Sequence, residues 1–217
     1  LNDINLSAKP YVIYKTLNGF DLFTDFSKKI ILSNNNVTNF LETISSNKKK
    51  IKKTDLYIGF FGYELLNYLI GIKFPKQKTN FFPKGIFYKP ETLISFSENL
   101  SFKASLPEKK NKKFKININR KNYTKIFNKF KKKIKQGETY QIKICTKYKN
   151  KSKIDPLDFF CRLSKSNLAP EAFLIKDKNY SVISCSPETL IEKKGRSIIT
   201  KPIAGTLKKN INLNKSK

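Results

Sequence analysis

Ser186-Pro187-Glu188-Thr189-Leu190, then a charged spacer, then Lys201-Pro202-Ile203-Ala204-Gly205-Thr206, is the stretch around which the rest of this chain is organised. The ring of Pro187 disfavours helical backbone at Ser186 and holds it extended, so Glu188 is expected at a strand entrance. Ile198-Ile199-Thr200 reads as a strand, and Pro202, with no N–H for the ladder, stops it. Gly205 lacks a Cβ, which lets a ligand approach the main chain at Thr206. The arrangement implied is a carboxyl group facing backbone N–H donors across a hairpin, suited to an anionic substrate. The bland alternative is an ordinary β-hairpin with an incidental glutamate.

Working back from that stretch, residues 172–176 and 180–184 read as the hairpin that feeds Glu188. Asp155-Pro156 supplies an N-cap and a first-turn proline for a helix running through Phe160 and Leu163 toward Asn167. Residues 138–148 read as a strand, because Tyr140, Ile142 and Ile144 alternate with Gln141, Lys143 and Cys145. That alternation places Gln141 on the face opposite Tyr140. The clearest helix carries Tyr123, Ile126, Phe127, Phe130 and Ile134 as one apolar stripe and ends at Gly137. The stripe is expected to be buried inside a mixed fold rather than laid on a membrane.

Nearer the N-terminus, residues 11–14, 20–23 and 29–32 read as short antiparallel strands punctuated by Asn18-Gly19 and Ser27, and Val37, Phe40, Leu41 and Ile44 give the spacing of a short helix. Residues 48–53 and 74–84 are expected loops. Residues 56–68 read as a strand turning into a buried helix with Glu64 on its first turn, with Gly59 and Gly62 as points of close backbone approach. Residues 85–88, 91–96 and 100–106 are further strand candidates, with a turn at Ser97-Glu98-Asn99, and the lysine-rich run after Pro107-Glu108 reads as a connector. The fold class that follows is α+β, mainly antiparallel β-sheets with helices packed outside.

The 217 residues, 39% apolar and 13% aromatic, are enough for one sizeable domain or two small ones. A net charge of +29 raises a nucleic-acid hypothesis. It is disfavoured here, since all but three of the 45 basic residues are lysine, the arginines being Arg120, Arg162 and Arg196. Readers of bases and phosphates favour the bidentate arginine fork, and the lysines are spread along the whole chain, as on a solvated surface. A non-catalytic basic module for nucleic acid remains the competing reading. Cys145, Cys161 and Cys185 are widely spaced and the chain has no histidine, so reduced, buried thiols are expected rather than a zinc site. No apolar run approaches the roughly 20 residues of a membrane span and no signal peptide is visible, which points to the cytoplasm. The chain begins at Leu1 and contains no methionine, so it is expected to be a fragment.

Two further blocks join the first, Ile58-Gly59-Phe60-Phe61-Gly62-Tyr63-Glu64-Leu65 and Gly137-Glu138-Thr139-Tyr140-Gln141-Ile142-Lys143-Ile144. In this order and at these separations, over residues 57–209, they resemble the chorismate-binding enzymes. That family includes anthranilate synthase component I, aminodeoxychorismate synthase component I, and the isochorismate and salicylate synthases. The resemblance implies substitution on chorismate, a nucleophile entering at C2 as the C4 hydroxyl leaves, with Glu188 as the general acid that protonates the leaving group. It implies a substrate site including Gln141, Ala204, Gly205 and Thr206. Members that activate water place a lysine where Gln141 stands here. Aminodeoxychorismate synthases typically read Pro-Ile-Lys-Gly-Thr where Ala204 stands, the lysine attacking first. Ammonia is then the remaining nucleophile, delivered by a glutamine amidotransferase subunit, with pyruvate elimination to anthranilate; 4-amino-4-deoxychorismate is the alternative product.

The family's Mg²⁺ is implied as well, with its ligands and an active-site histidine beyond residue 217, so residues 1–106 are expected to be an N-terminal part and 114–217 the first part of the catalytic region, inactive alone. Two departures stand against the anthranilate assignment. Asn167-Leu168-Ala169-Pro170-Glu171-Ala172-Phe173 lies where anthranilate synthases commonly read Asn-Pro-Ser-Pro-Tyr-Met-Phe, part of their tryptophan feedback site, and is closer to the aminodeoxychorismate branch. Leu207 follows Thr206 where a basic residue is usual, although Lys208 and Lys209 come next.

Overall fold

The computed structural model describes residues 9–46, 52–71, 82–97 and 113–203. They fall into two compact units, one formed by Leu1–Phe102 with Pro156–Lys217, the other by Lys103–Asp155. The first unit opens with β1 (Tyr11–Thr16), β2 (Gly19–Ile31), α1 (Val37–Ser46), β3 (Ile58–Phe61), a 3₁₀ turn at Tyr63–Leu65 running into α2 (Leu66–Leu69), and β4 (Gly85–Ser97). The second unit holds β5 (Lys115–Ile116), α3 (Arg120–Lys135) and β6 (Tyr148–Lys149). The chain then resumes the first unit with α4 (Pro156–Ser166), β7 (Glu171–Lys176), β8 (Ser181–Ser186), β9 (Glu192–Lys194) and β10 (Ser197–Ile199).

Six strands of the first unit form one antiparallel sheet in the order β3-β4-β2-β1-β7-β8. The α+β reading therefore holds. Alternate positions on each strand divide two apolar clusters, as the strand period of two requires. Tyr11, Ile13, Leu22, Ala172 and Leu174 pack with Phe160 and Cys161 of α4, while Val12, Phe23, Ile86, Tyr88 and Ile175 form the second cluster. A third joins Val37 and Phe40 of α1 to Leu32, Leu65 and Phe87. Gly59 lies so close to β4 that a Cβ there would stand 1.9 Å from the Ile86 carbonyl oxygen, and one on Gly62 would stand 2.3 Å from that of Lys84. The close backbone approach read at both glycines is thus present.

Residues 85–88 and 91–96, expected as two strands, are one strand, β4, and the buried helix expected at the end of 56–68 is the 3₁₀ turn and the four-residue α2, on which Tyr68 and Leu69 are exposed. Three further expectations are corrected. Residues 20–23 and 29–32 do not form separate strands: β2 runs through Ser27 by a bulge, with Phe26 opposite Pro90 and Lys28 opposite Lys89. Pro90 is tolerated inside β4 because it sits at that irregularity, and β3 pairs only with Gly85 to Tyr88. Residues 138–148 are not a strand. Among the described residues only Tyr148–Lys149 finds a ladder partner, Lys115–Ile116. The alternation survives only in part: Ile142 and Ile144 are half-buried and Gln141, Lys143 and Cys145 exposed, but Tyr140, expected on the face of the two isoleucines, is 92% exposed. Periodicity reports which side a side chain faces, and a strand also needs a partner.

The stripe on α3 is the third. The helix forms where expected, with Asn119 accepting from the Asn122 N–H at 2.9 Å and Gly137 in left-handed backbone at φ 77°. No residue on it is buried, and Phe127 is 46% exposed. Local signals start and stop a helix, and burial of its face depends on neighbours those signals do not specify. Of the thiols only Cys161 is buried; Cys145 is exposed and Cys185 half-buried. The expected loops at 48–51 and 74–81, the turn after Ser97, the strand at 100–106 and the connector after Pro107 lie outside the described residues.

Candidate functional site

The hairpin β7–β8 positions the site. Its register runs from Lys176 opposite Ser181 to Glu171 opposite Ser186, so β8 ends at the residue before Pro187. The Ser186 hydroxyl donates to the Glu188 carbonyl at 2.9 Å and folds the Ser-Pro-Glu turn back on itself. From there the chain makes the small hairpin β9–β10, turning at Gly195 with φ 58°. It returns with the Lys201 N–H donating to the Thr189 carbonyl at 3.1 Å. The Ile203 N–H donates to the Glu188 carboxylate at 2.7 Å. A carboxylate from the first block thus receives a backbone donor from the second. Glu188 itself is exposed, which leaves its carboxylate accessible from solution. Lys193, Arg196 and Lys201 are exposed on the intervening hairpin and beside its exit, while Lys194 pairs with Glu192 at 2.6 Å. The local field there favours anions.

A second carboxylate supports the turn from beneath. Glu171, at the start of β7, accepts from the Thr189 hydroxyl at 2.8 Å through one oxygen and from the Tyr14 hydroxyl through the other. Burial, then the bond to Glu171, pushes the Tyr14 phenol well above its ordinary pKa, so it stays a donor. Lys15 donates to the Ala169 carbonyl at 3.0 Å and pins the segment leading into β7. Of these residues the sequence singles out Glu171 only as a departure from a family motif. Its partners lie far from it along the chain, where no spacing rule reaches.

Gln141 lies in the second unit, exposed, in the segment that lacks a ladder. Ala204, Gly205 and Thr206 lie outside the described residues, as does Leu207. No group of three or more Asp, Glu, Cys or His side chains able to hold a metal ion occurs among the described residues. They therefore offer no ligand set that fits the implied Mg²⁺. No helix among the described residues is long and apolar enough to cross a membrane.

The family model for chorismate binding enzymes matches residues 9–217. Anthranilate synthase component 1 of Buchnera aphidicola subsp. Rhopalosiphum maidis is 29% identical over 204 residues, covering 77% of this chain and 39% of that protein. An anthranilate synthase component I-like protein of Synechocystis is 26% identical over 182 residues, covering 72% of this chain and 38% of its own. The chain thus spans about two fifths of the length of these relatives. Among solved structures, one described as a 2,3-dihydroxybenzoate-specific isochorismate synthase, DhbC, from Bacillus anthracis superposes with a TM-score of 0.57 over 93% of this chain and 50% of its own, at 17% identity. At that identity the likeness speaks for the fold alone. With the three sequence blocks, the α+β sheet and a family match over nearly the whole chain all in agreement, this chain belongs to the chorismate-binding enzyme family.

Proposed function

We propose that this chain contributes the catalytic acid and part of the substrate site of an anthranilate synthase component I-like enzyme, which aminates chorismate at C2 with ammonia as the C4 hydroxyl leaves and then eliminates pyruvate. The observation that carries the reading is the bond from the Ile203 N–H to the Glu188 carboxylate, because it joins the two blocks the chemistry needs at one place. A carboxyl group protonated there hands its proton to the departing hydroxyl, and the backbone donor then stabilises the carboxylate that remains.

The choice of nucleophile rests on residue chemistry. A methyl group at Ala204 cannot attack a ring carbon, and the amide of Gln141 is too weakly basic to activate water. Ammonia remains, and the relatives named anthranilate synthase component 1 favour it. A glutamine amidotransferase subunit is the supplier this reading requires. The Asn167 to Phe173 stretch keeps 4-amino-4-deoxychorismate as the second candidate product, since Glu171 occupies the region where anthranilate synthases carry their feedback motif.

Product analysis tests the proposal. The native gene product, incubated with chorismate, Mg²⁺ and an ammonium salt, is expected to yield anthranilate on chromatographic separation, with no covalent enzyme intermediate by intact mass. Aminodeoxychorismate as the sole product would sink the anthranilate assignment, and isochorismate would overturn the reading of Gln141.

A further inference from the structure

We infer that Glu171 is a positioning residue for Glu188, acting through Thr189; the inference rests on the reading of Glu188 as the acid. The geometry is a relay of hydroxyls on one carboxylate. Tyr14 stands on β1, inside the six-stranded sheet, and its hydroxyl donates to one oxygen of Glu171. The other oxygen accepts from Thr189, the residue next to Glu188, at 2.8 Å. Thr189 in turn accepts the Lys201 N–H through its carbonyl at 3.1 Å, and two residues on the Ile203 N–H reaches the Glu188 carboxylate at 2.7 Å.

Without this bridge the turn would be held to the sheet chiefly through the end of β8 and the exposed Ser186 bond. Glu188 is exposed, so packing does not fix its rotamer and hydrogen bonds must. A half-buried carboxylate taking two hydroxyl donors is a stiff anchor, since charge-assisted bonds are about twice as strong as neutral ones. Fixing Thr189 fixes the backbone on which the Glu188 side chain starts, and with it the distance to Ile203. The Glu171 side chain thus faces Thr189 and Tyr14.

The test reads the Ile203 amide by NMR in the native gene product. Glu171→Ala and Thr189→Val are expected to shift that amide and speed its exchange at least about tenfold, while the amides of the β7–β1 ladder keep their protection. Tyr14→Phe and Glu171→Gln each weaken the anchor without releasing Thr189, so both are expected to change the Ile203 exchange less than Thr189→Val does. Thr189→Val keeps side-chain shape, so the test stands even where Glu171→Ala folds poorly. An Ile203 amide unmoved in Thr189→Val overturns the bridge, as does an equal change in Tyr14→Phe, which would indicate general loosening. In the native gene product Thr189→Val should lower kcat with KM little changed. A normal rate in Glu188→Gln would instead sink the reading of Glu188 as acid, and with it any catalytic consequence of the bridge, while leaving the NMR result standing.

Discussion

Replacing Asp177 by asparagine isolates the value of one buried charge at the turn between β7 and β8. The carboxylate is 3% exposed. It accepts from the Lys29 ammonium at 2.6 Å, from the Lys178 N–H at 2.5 Å and from the Tyr88 hydroxyl. Burial pushes its pKa up, but these donors, led by Lys29, outweigh burial and bring it down from 3.8 to about 2. Because the folded pKa lies below the unfolded one, the unfolded chain binds the proton first on acidification. The stabilisation is therefore complete above about pH 5 and is lost as the pH falls through the folded value. A shift of that size is worth about 2 kcal/mol at neutral pH, and roughly half of it survives at pH 3.

Asparagine keeps the shape and one acceptor but cannot carry the charge. Urea unfolding at pH 7, 5, 4 and 3, followed by circular dichroism, should show the variant about 2 kcal/mol less stable at pH 7 and pH 5, with the gap narrowing to about 1 kcal/mol at pH 3. The corresponding loss in Tm at pH 7 is roughly 4–8 °C for a chain of this size. Lys29 is 40% exposed at its side chain, so added salt should narrow the gap modestly and not abolish it. A gap that stays constant from pH 7 to pH 3 would refute the argument, because it would mean that the substitution acts through packing and not through charge.

Three further outcomes follow. Glu188→Gln in the native gene product should cut turnover by roughly 10²-fold or more, the scale of a lost general acid, with the circular dichroism spectrum unchanged; a near-normal rate removes Glu188 from the mechanism. Gly59→Ala should destabilise the first unit by about 2–3 kcal/mol in the same urea assay, since its Cβ would meet the Ile86 carbonyl oxygen and β3 would have to move; a loss under about 0.5 kcal/mol would show that β3 yields freely. Ala204→Lys should place an amine able to compete for C2, depressing ammonia-dependent turnover and adding a substrate-derived mass to the protein; unchanged turnover with no adduct would remove Ala204 from the substrate site.

Where the sequence carries two agreeing signals, the structure follows it. The hairpin into Glu188 has apolar runs on both sides of the polar Asp177-Lys178-Asn179 turn, and β7 and β8 form over those runs, extended slightly toward Glu171 and Ser186. The first turn of α4 has an N-cap candidate and a proline together, and the helix begins at Pro156. Where one signal stands alone it misleads. Ser27 looks like punctuation, but a bulge absorbs one residue without ending the strand. The alternation in residues 138–148 specifies sides and not a partner, and the α3 stripe specifies a face and not what covers it.

The site divides along the same line. Pro187, Pro202 and the spacer between them act locally on the backbone, and the carboxylate of Glu188 does face an N–H of the second block. Glu188 itself, expected at a strand entrance, lies instead in the turn between β8 and β9, because the Ser186 hydroxyl folds the chain back there. The support beneath it could not be read in advance, because Tyr14, Glu171 and Thr189 are brought together by sheet order. β1 pairs with β7, β7 with β8, and β8 is the end strand of the sheet among the described residues. That order has a chemical consequence. The chain leaving β8 has a sheet on one side only, so the turn at Glu188 is tethered through Glu171 toward the core while its carboxylate stays exposed toward solution. On the proposed reading of Glu188 as the acid, that combination supplies what the role needs, an anchor on the protein side and access on the other.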